Sequence, residues 1–249
     1  MLYKLQSWLS RQLQPPAFIE QEKTIVGKVI VVTGTSRGIG KAIAEFLSKK
    51  GAIIIKLERN IQSKQSVKVQ DKYLFQADVT DPIAVNQALN QIENNFGKID
   101  IVINCAGIFL DEVIDETSTD DFSNVLKVNV VGAFNLARFA VPIMKKKRKG
   151  LIINIGSKIS HNTNVAAGKV AYATSKYALE GFSFALNKEL KPFGIRVCCL
   201  MPGTVGTFVS RKSKEYLSPY EVASIVKFII EAEGIDFESI LFKSVNQNI

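Results

Sequence analysis

Hydrophobic and polar positions along this chain follow two periods in turn. Short runs of aliphatic and β-branched residues fall at 29–32, 52–57, 72–76, 101–104, 151–155 and 195–200, with a last short run at 239–242. Between them, apolar residues recur at helical spacing near 41–50, 83–96, 120–146, 170–191 and 219–233. Unbroken apolar runs of this length read as strands buried on both faces, and the longer periodic stretches as amphipathic helices. Asp81-Pro82 supplies a cap and a first-turn proline for one of these helices. The regular alternation predicts an α/β fold: a single doubly wound domain over residues 25–249, with a parallel sheet of about seven strands, right-handed crossovers and helices on both faces.

Residues 1–24 stand apart. Leu2, Leu5, Leu9 and Leu13 recur at helical spacing beside Trp8, and Pro15-Pro16 ends the pattern. This predicts an N-terminal amphipathic extension that packs on the domain or on a second subunit. Peripheral membrane contact through residues 1–14 is the less favoured alternative, and the pattern is not that of a signal peptide.

In a doubly wound sheet, ligands bind beyond the carboxyl ends of the strands, so those ends carry the functional argument. The first strand runs into Thr33-Gly-Thr-Ser-Arg-Gly-Ile-Gly40 and a helix follows at once. Strand, glycine turn and helix N-terminus together direct backbone N–H groups at a phosphate, and glycine allows its close approach. Glu58-Arg59 ends the second strand about 20 residues on, where a ribose-binding carboxylate belongs. The later ends carry Asp78-Val79, Asn104-Cys-Ala-Gly107, Gly156-Ser157 and Pro202-Gly-Thr-Val-Gly-Thr207. All six are polar or turn-forming, which is a far stronger signal of a Rossmann-type domain than any one motif.

Composition narrows the class. The chain has 249 residues, 47% of them hydrophobic, enough for a sizeable core. Its net charge of +9 is concentrated in the run 145–149, read as a solvated loop between a helix and a strand, so nucleic acid is not favoured as a partner. Cys105, Cys198 and Cys199 lie in or beside apolar runs, an odd number without a disulfide or metal-site pattern, which points to a reducing, cytoplasmic setting and no metal. His161 is the only histidine, and no Gly-x-Ser-x-Gly turn accompanies it, so a hydrolase triad is excluded and it reads as a loop residue near the site's rim.

With these residues in view, the chain resembles the classical short-chain dehydrogenase/reductase family, closely over residues 25–207. The family's Thr-Gly-x-x-x-Gly-x-Gly is Thr33 to Gly40. Its Asn-Asn-Ala-Gly is Asn104-Cys-Ala-Gly107, with cysteine in second place. Its Tyr-x-x-x-Lys is Tyr172-Ala-Thr-Ser-Lys176, and its Pro-Gly with a following threonine is Pro202-Gly203 and Thr207. The resemblance implies an NAD(P)-dependent oxidoreductase that interconverts a small-molecule carbonyl and a secondary alcohol by hydride transfer. Tyr172 is the implied acid/base, Lys176 its partner and a ribose ligand, Ser157 the group on the substrate oxygen and Asn129 a relay to Lys176. Four residues apart on a helix, Tyr172 and Lys176 project from one face, and an ammonium beside a phenol favours the phenolate. The gap from Ser157 to Tyr172 is 172 − 157 = 15 positions, long for the family, which leaves Ser160 as the reserve assignment.

The implied cofactor residues are Gly34, Ser36, Arg37, Gly38, Ile39, Gly40, Glu58, Arg59, Asp78, Val79, Asn104, Ala106, Gly107, Tyr172, Lys176, Pro202, Gly203, Val205 and Thr207. Glu58 tips the choice between NAD(H) and NADP(H) towards NAD(H), because a carboxylate accepts both ribose hydroxyls and repels a 2′-phosphate. Arg37 and Arg59 argue the other way. The substrate lid, near 208–218, is short and rich in Arg, Lys and Ser. A homo-oligomer, dimer or tetramer, is the expected assembly. The alternative from another class is a non-catalytic dinucleotide-binding protein of the same fold, with a regulatory or assembly role.

Overall fold

The computed structural model describes residues 25–60, 73–161, 165–207 and 215–246. The extension 1–24 and the lid positions 208–214 lie outside the described residues. Seven strands form one sheet: β1 Val29–Thr33, β2 Ile53–Glu58, β3 Leu74–Gln76, β4 Ile101–Asn104, β5 Gly150–Ile155, β6 Ile195–Pro202 and β7 Ser239–Phe242. Their order is β3-β2-β1-β4-β5-β6-β7, and every pair is parallel. The helices are α1 Gly38–Lys49, α2 Pro82–Phe96, α3 Thr119–Leu126, α4 Gly132–Lys147, α5 Val170–Leu190 and α6 Pro219–Glu231. The strand order reverses between β1 and β4, which opens a crevice at their carboxyl ends.

Alternate strand residues feed two cores, as the two-residue pleat requires. Val29, Val31, Val102, Ile152 and Val197 pack with Leu89, Ile92, Leu136 and Ala140 of α2 and α4. Ile30, Val32, Ile103, Ile153 and Leu200 pack on the other face with Ile43, Leu47, Val222, Val226 and Ile229 of α1 and α6. The continuous helix Thr119–Lys147 is long and apolar enough to cross a membrane by composition alone, but its apolar side is part of the first core. The predicted cap is present: Asp81 Oδ1 accepts from Ile83 N at 2.8 Å and Ala84 N at 3.2 Å, with Pro82 in the first turn.

Two expectations change. The helix predicted over 120–146 contains a π-turn at Lys127–Val131, between α3 and α4, and Asn129 sits in it, buried. The basic run is exposed, as expected, but most of it is helix rather than loop. Lys145, Lys146 and Lys147 form the last turn of α4, where cations suit the helix dipole, and Arg148 closes it in the left-handed region. Lys146 pairs with Glu93 at 2.6 Å, Lys149 with Glu233 at 2.7 Å, and Lys145 stacks on Phe193. That charge is partly absorbed by the protein itself.

Candidate active site

The glycine turn and the loop after β4 are built as one piece. Thr33 Oγ1 donates to Asn104 Oδ1 at 3.3 Å and accepts from Cys105 N at 3.1 Å and Ala106 N at 3.0 Å. A Cβ on Gly34 would lie 3.0 Å from the Ala106 backbone, and Gly34 has φ +67°, so both space and conformation require glycine. Gly40 backs onto the Gly34 carbonyl with no room for a side chain. At Gly38, φ +59°, a Cβ would meet Thr207 Cγ2 at 3.3 Å, which brings the loop after β6 over the turn. The residue before α1, Arg37, offers no side-chain acceptor to the first-turn N–H groups. Those donors, at the positive end of the helix, suit a dinucleotide pyrophosphate. The cradle fits the cofactor that the sequence implies.

Beside it, a cleft of about 470 Å³ is lined by Thr35, Ser36, Lys41, Glu45, Lys56 and Glu58, among others. Thr35 Oγ1 donates to Glu58 Oε1, so the carboxylate at the end of β2 is held in place by the glycine turn. Arg59 accepts through its carbonyl from Gln76 Nε2 at 3.2 Å. Asp78 Oδ1 accepts from both the N–H and the hydroxyl of Thr80 at 2.8 Å, and the Val79 carbonyl accepts from Asn135 Nδ2 at 2.9 Å. These bonds fix the turn after β3. Gly203 N donates to Phe242 O at 2.7 Å, and Val205 bridges to Leu217, which anchors both sides of the lid.

Tyr172, Lys176, Ser157 and Asn129 gather at the same ends of the sheet. Lys176 is 7% exposed; its Nζ donates to Ile155 O at 2.8 Å and lies 5.6 Å from the Tyr172 ring centroid. That leaves two of its three N–H groups for other acceptors among the described bonds. The Tyr172 ring meets Phe109 edge-on at 4.9 Å, and Phe109 is 57% exposed. Ser157 Oγ accepts from Ile159 N at 3.3 Å, and its own proton is uncommitted among the described bonds. Ser160, the reserve, is buried and turned inward, donating to Ser157 O and towards Met201 Sδ. The geometry therefore sets Ser160 aside as scaffold for Ser157.

Asn129 Nδ2 donates to Ile108 O and Ser175 Oγ, and its Oδ1 accepts from Ile108 N. Both its N–H groups are consumed, so its free capacity is one oxygen lone pair. That oxygen would meet a Cβ on Gly107 at 3.1 Å, and Lys176 Nζ faces the same glycine from further off, at 4.0 Å. Cys105, at the departure from the family motif, is a packed thiol. Burial pushes it up to about 11, against the opposing pull of Lys176 and a hydrogen bond from Gly40.

The sequence reading missed a polar chain behind the site. Thr33 donates to Asn104, Asn104 Nδ2 to Asn154 Oδ1 at 3.3 Å, and Asn154 Nδ2 to Ser183 Oγ at 2.9 Å, all buried. Asn154 lies opposite Asn104 in the β4–β5 register. Its one available signal was an amide within an otherwise apolar strand.

Comparison with known proteins agrees with this geometry. A family model described as short chain dehydrogenase matches residues 28–217. A 3-oxoacyl-[acyl-carrier-protein] reductase of Buchnera aphidicola is 36% identical over 200 residues, 78% of this chain and 80% of that one. Carbonyl reductase family member 4 of Xenopus laevis is 33% identical over 223 residues, 84% of this chain and 94% of that one. The solved structure of the aldohexose dehydrogenase of Thermoplasma acidophilum superposes with a TM-score of 0.77 at 28% identity, covering 89% of this chain and 94% of that one. Relatives named as oxidoreductases leave the non-catalytic alternative without support. The chain belongs to the short-chain dehydrogenase/reductase family and is an NAD(P)-dependent oxidoreductase.

Proposed function

We propose that this chain interconverts a small-molecule carbonyl and a secondary alcohol, with Tyr172 as the acid/base. The observation that carries the reading is the Tyr172–Lys176 pair on one face of α5, its ammonium buried and its ring beside an exposed apolar wall, Phe109. A bound dinucleotide supplies or accepts the hydride. Tyr172 gives a proton to the substrate oxygen during reduction and takes it back during oxidation. Ser157 donates to that oxygen and orients it. Lys176 sets its ammonium 5.6 Å from the Tyr172 ring centroid, and its remaining N–H groups would hold the cofactor ribose. Asn129 holds the loop at Ile108 and offers one acceptor beside Lys176.

Glu58, held by Thr35, supports a preference for NAD(H). Exposed apolar residues on the π-turn, α4 and α5, namely Val131, Phe134 and Tyr177, support a homo-oligomer. Free thiols at Cys105, Cys198 and Cys199 fit a reducing, cytoplasmic setting. The similarity to carbonyl and 3-oxoacyl reductases makes a ketone the first substrate class to screen. The test is titration of the purified protein with NADH and NADPH by nicotinamide fluorescence, then turnover with a panel of ketones. Tight NADH binding with ketone reduction supports the reading; binding of neither dinucleotide by the folded protein overturns it.

A further inference from the structure

The only histidine of the chain plays no part in the chemistry above. His161 closes a short 3₁₀ turn, Lys158–His161, that leaves directly from Ser157. Its Nε2 lies 2.6 Å from Glu180 Oε1. Glu180 is 7% exposed and stands on α5, and the spacing 172, 176, 180 puts it on the helix face of Tyr172 and Lys176. A buried carboxylate is tolerated when it is paired. An ionised carboxylate only accepts, so what the pair asks of position 161 is an N–H donor.

The placement of this bond matters more than its strength. Lys176 Nζ holds Ile155 O at 2.8 Å, on the sheet side of Ser157. Glu180 holds His161, on the far side. Two clips one helical turn apart thus bracket the serine and tie its segment to the helix that carries the tyrosine. The turn's other bonds do not reach α5: Ile159 N to Ser157 Oγ and the Ser160 N–H and hydroxyl to Ser157 O shape it internally, and the Ser160 hydroxyl leans towards Met201 Sδ of β6. The serine turn therefore has one lateral tether beyond the serine among the described bonds to this helix.

We propose that His161 and Glu180 are positioning residues that set the Ser157 hydroxyl against Tyr172. The proposal rests on the roles given to Ser157 and Tyr172 above. Neither residue touches the substrate, and both act through the turn.

The test compares the wild type with H161A, H161Q and the double variant H161A/E180Q. Reduction of ethyl acetoacetate at saturating cofactor is measured beside NADH and NADPH affinity and Tm. The double variant removes the partner and the charge together, so no stranded carboxylate threatens its folding. H161A and H161A/E180Q should each lose kcat by about 10- to 100-fold, the order expected for a small misplacement of a catalytic group. Cofactor Kd should stay within about twofold, because neither residue bonds to the glycine turn or to Lys176 among the described bonds. H161Q keeps an N–H donor to the carboxylate and should stay within about threefold of wild-type kcat. The proposal is overturned if H161A/E180Q keeps its kcat, if H161Q is as poor as H161A at equal Tm, or if cofactor affinity falls in step with kcat. A wild type that binds a dinucleotide but is inert towards every ketone overturns instead the reading beneath it.

Discussion

Tyr172 makes its decisive contribution with one oxygen, and removal of that oxygen is the sharpest test of the site. The variant Tyr172→Phe keeps the ring contact with Phe109 and the cation above it. Its kcat should fall by about 10²–10⁴-fold, the usual worth of a positioned acid/base, while cofactor Kd stays nearly unchanged. Glu58 answers a different question. A charge-assisted bond to a ribose hydroxyl is worth about 1.5–3 kcal/mol, so Glu58→Ser should move the NAD/NADP preference by about tenfold or more towards NADP. Steady-state kinetics with both dinucleotides read that ratio, and an unchanged ratio would mean Glu58 serves only its Thr35 bond. Tyr172 and Lys176 were legible because their four-residue spacing on a helix is local. The partners Glu180 and His161 were not, since 19 positions and a loop separate them, and neither residue type alone marks a tether.

At the scale of elements, the strands were legible because a parallel sheet buries both faces and leaves unbroken apolar runs. The π-turn at Lys127–Val131 was not, because Lys-Val-Asn-Val-Val carries no breaker. Its cause is tertiary: Asn129 spends its amide on the Ile108 backbone and Ser175. The pairing of the exposed basic run was hidden for a similar reason, because its acidic and aromatic partners are remote in sequence. One element boundary carries a direct prediction. Ser218 ends the lid and caps α6 in a capping box with Glu221, accepting from Glu221 N at 3.2 Å while Glu221 Oε2 accepts from Ser218 N at 2.6 Å. Ser218→Ala should lower stability by about 1 kcal/mol in urea denaturation.

Across the whole molecule, the two ends of the sheet do different work. The chemistry is gathered at the carboxyl ends. At the opposite end, Glu233 accepts from Lys28 at 2.9 Å and Lys149 at 2.7 Å, joining the approach to β1, the approach to β5 and the segment after α6. Burial pushes the Glu233 carboxyl up, but the bonds from Lys149 and Lys28 outweigh it and hold the group below its ordinary 4.5. A depressed carboxyl stabilises the folded state above its unfolded value and loses that contribution as pH falls through the folded value. Glu233→Gln should therefore lower Tm near neutral pH, by about 1–3 °C for an exposed pair in a chain of this size. The gap should close as the pH drops below the carboxylate range and shrink in high salt. A gap that persisted at low pH would show that the cause is packing rather than charge.

The seam between Gly34 and Ala106 has a practical consequence for anyone who redesigns this protein. The two loops touch backbone to backbone, and one threonine hydroxyl serves both. They behave as a single exchangeable cassette drawn from distant parts of the gene. A graft of the first loop from another enzyme, without its matching second loop, imports a surface shaped for a neighbour that was left behind.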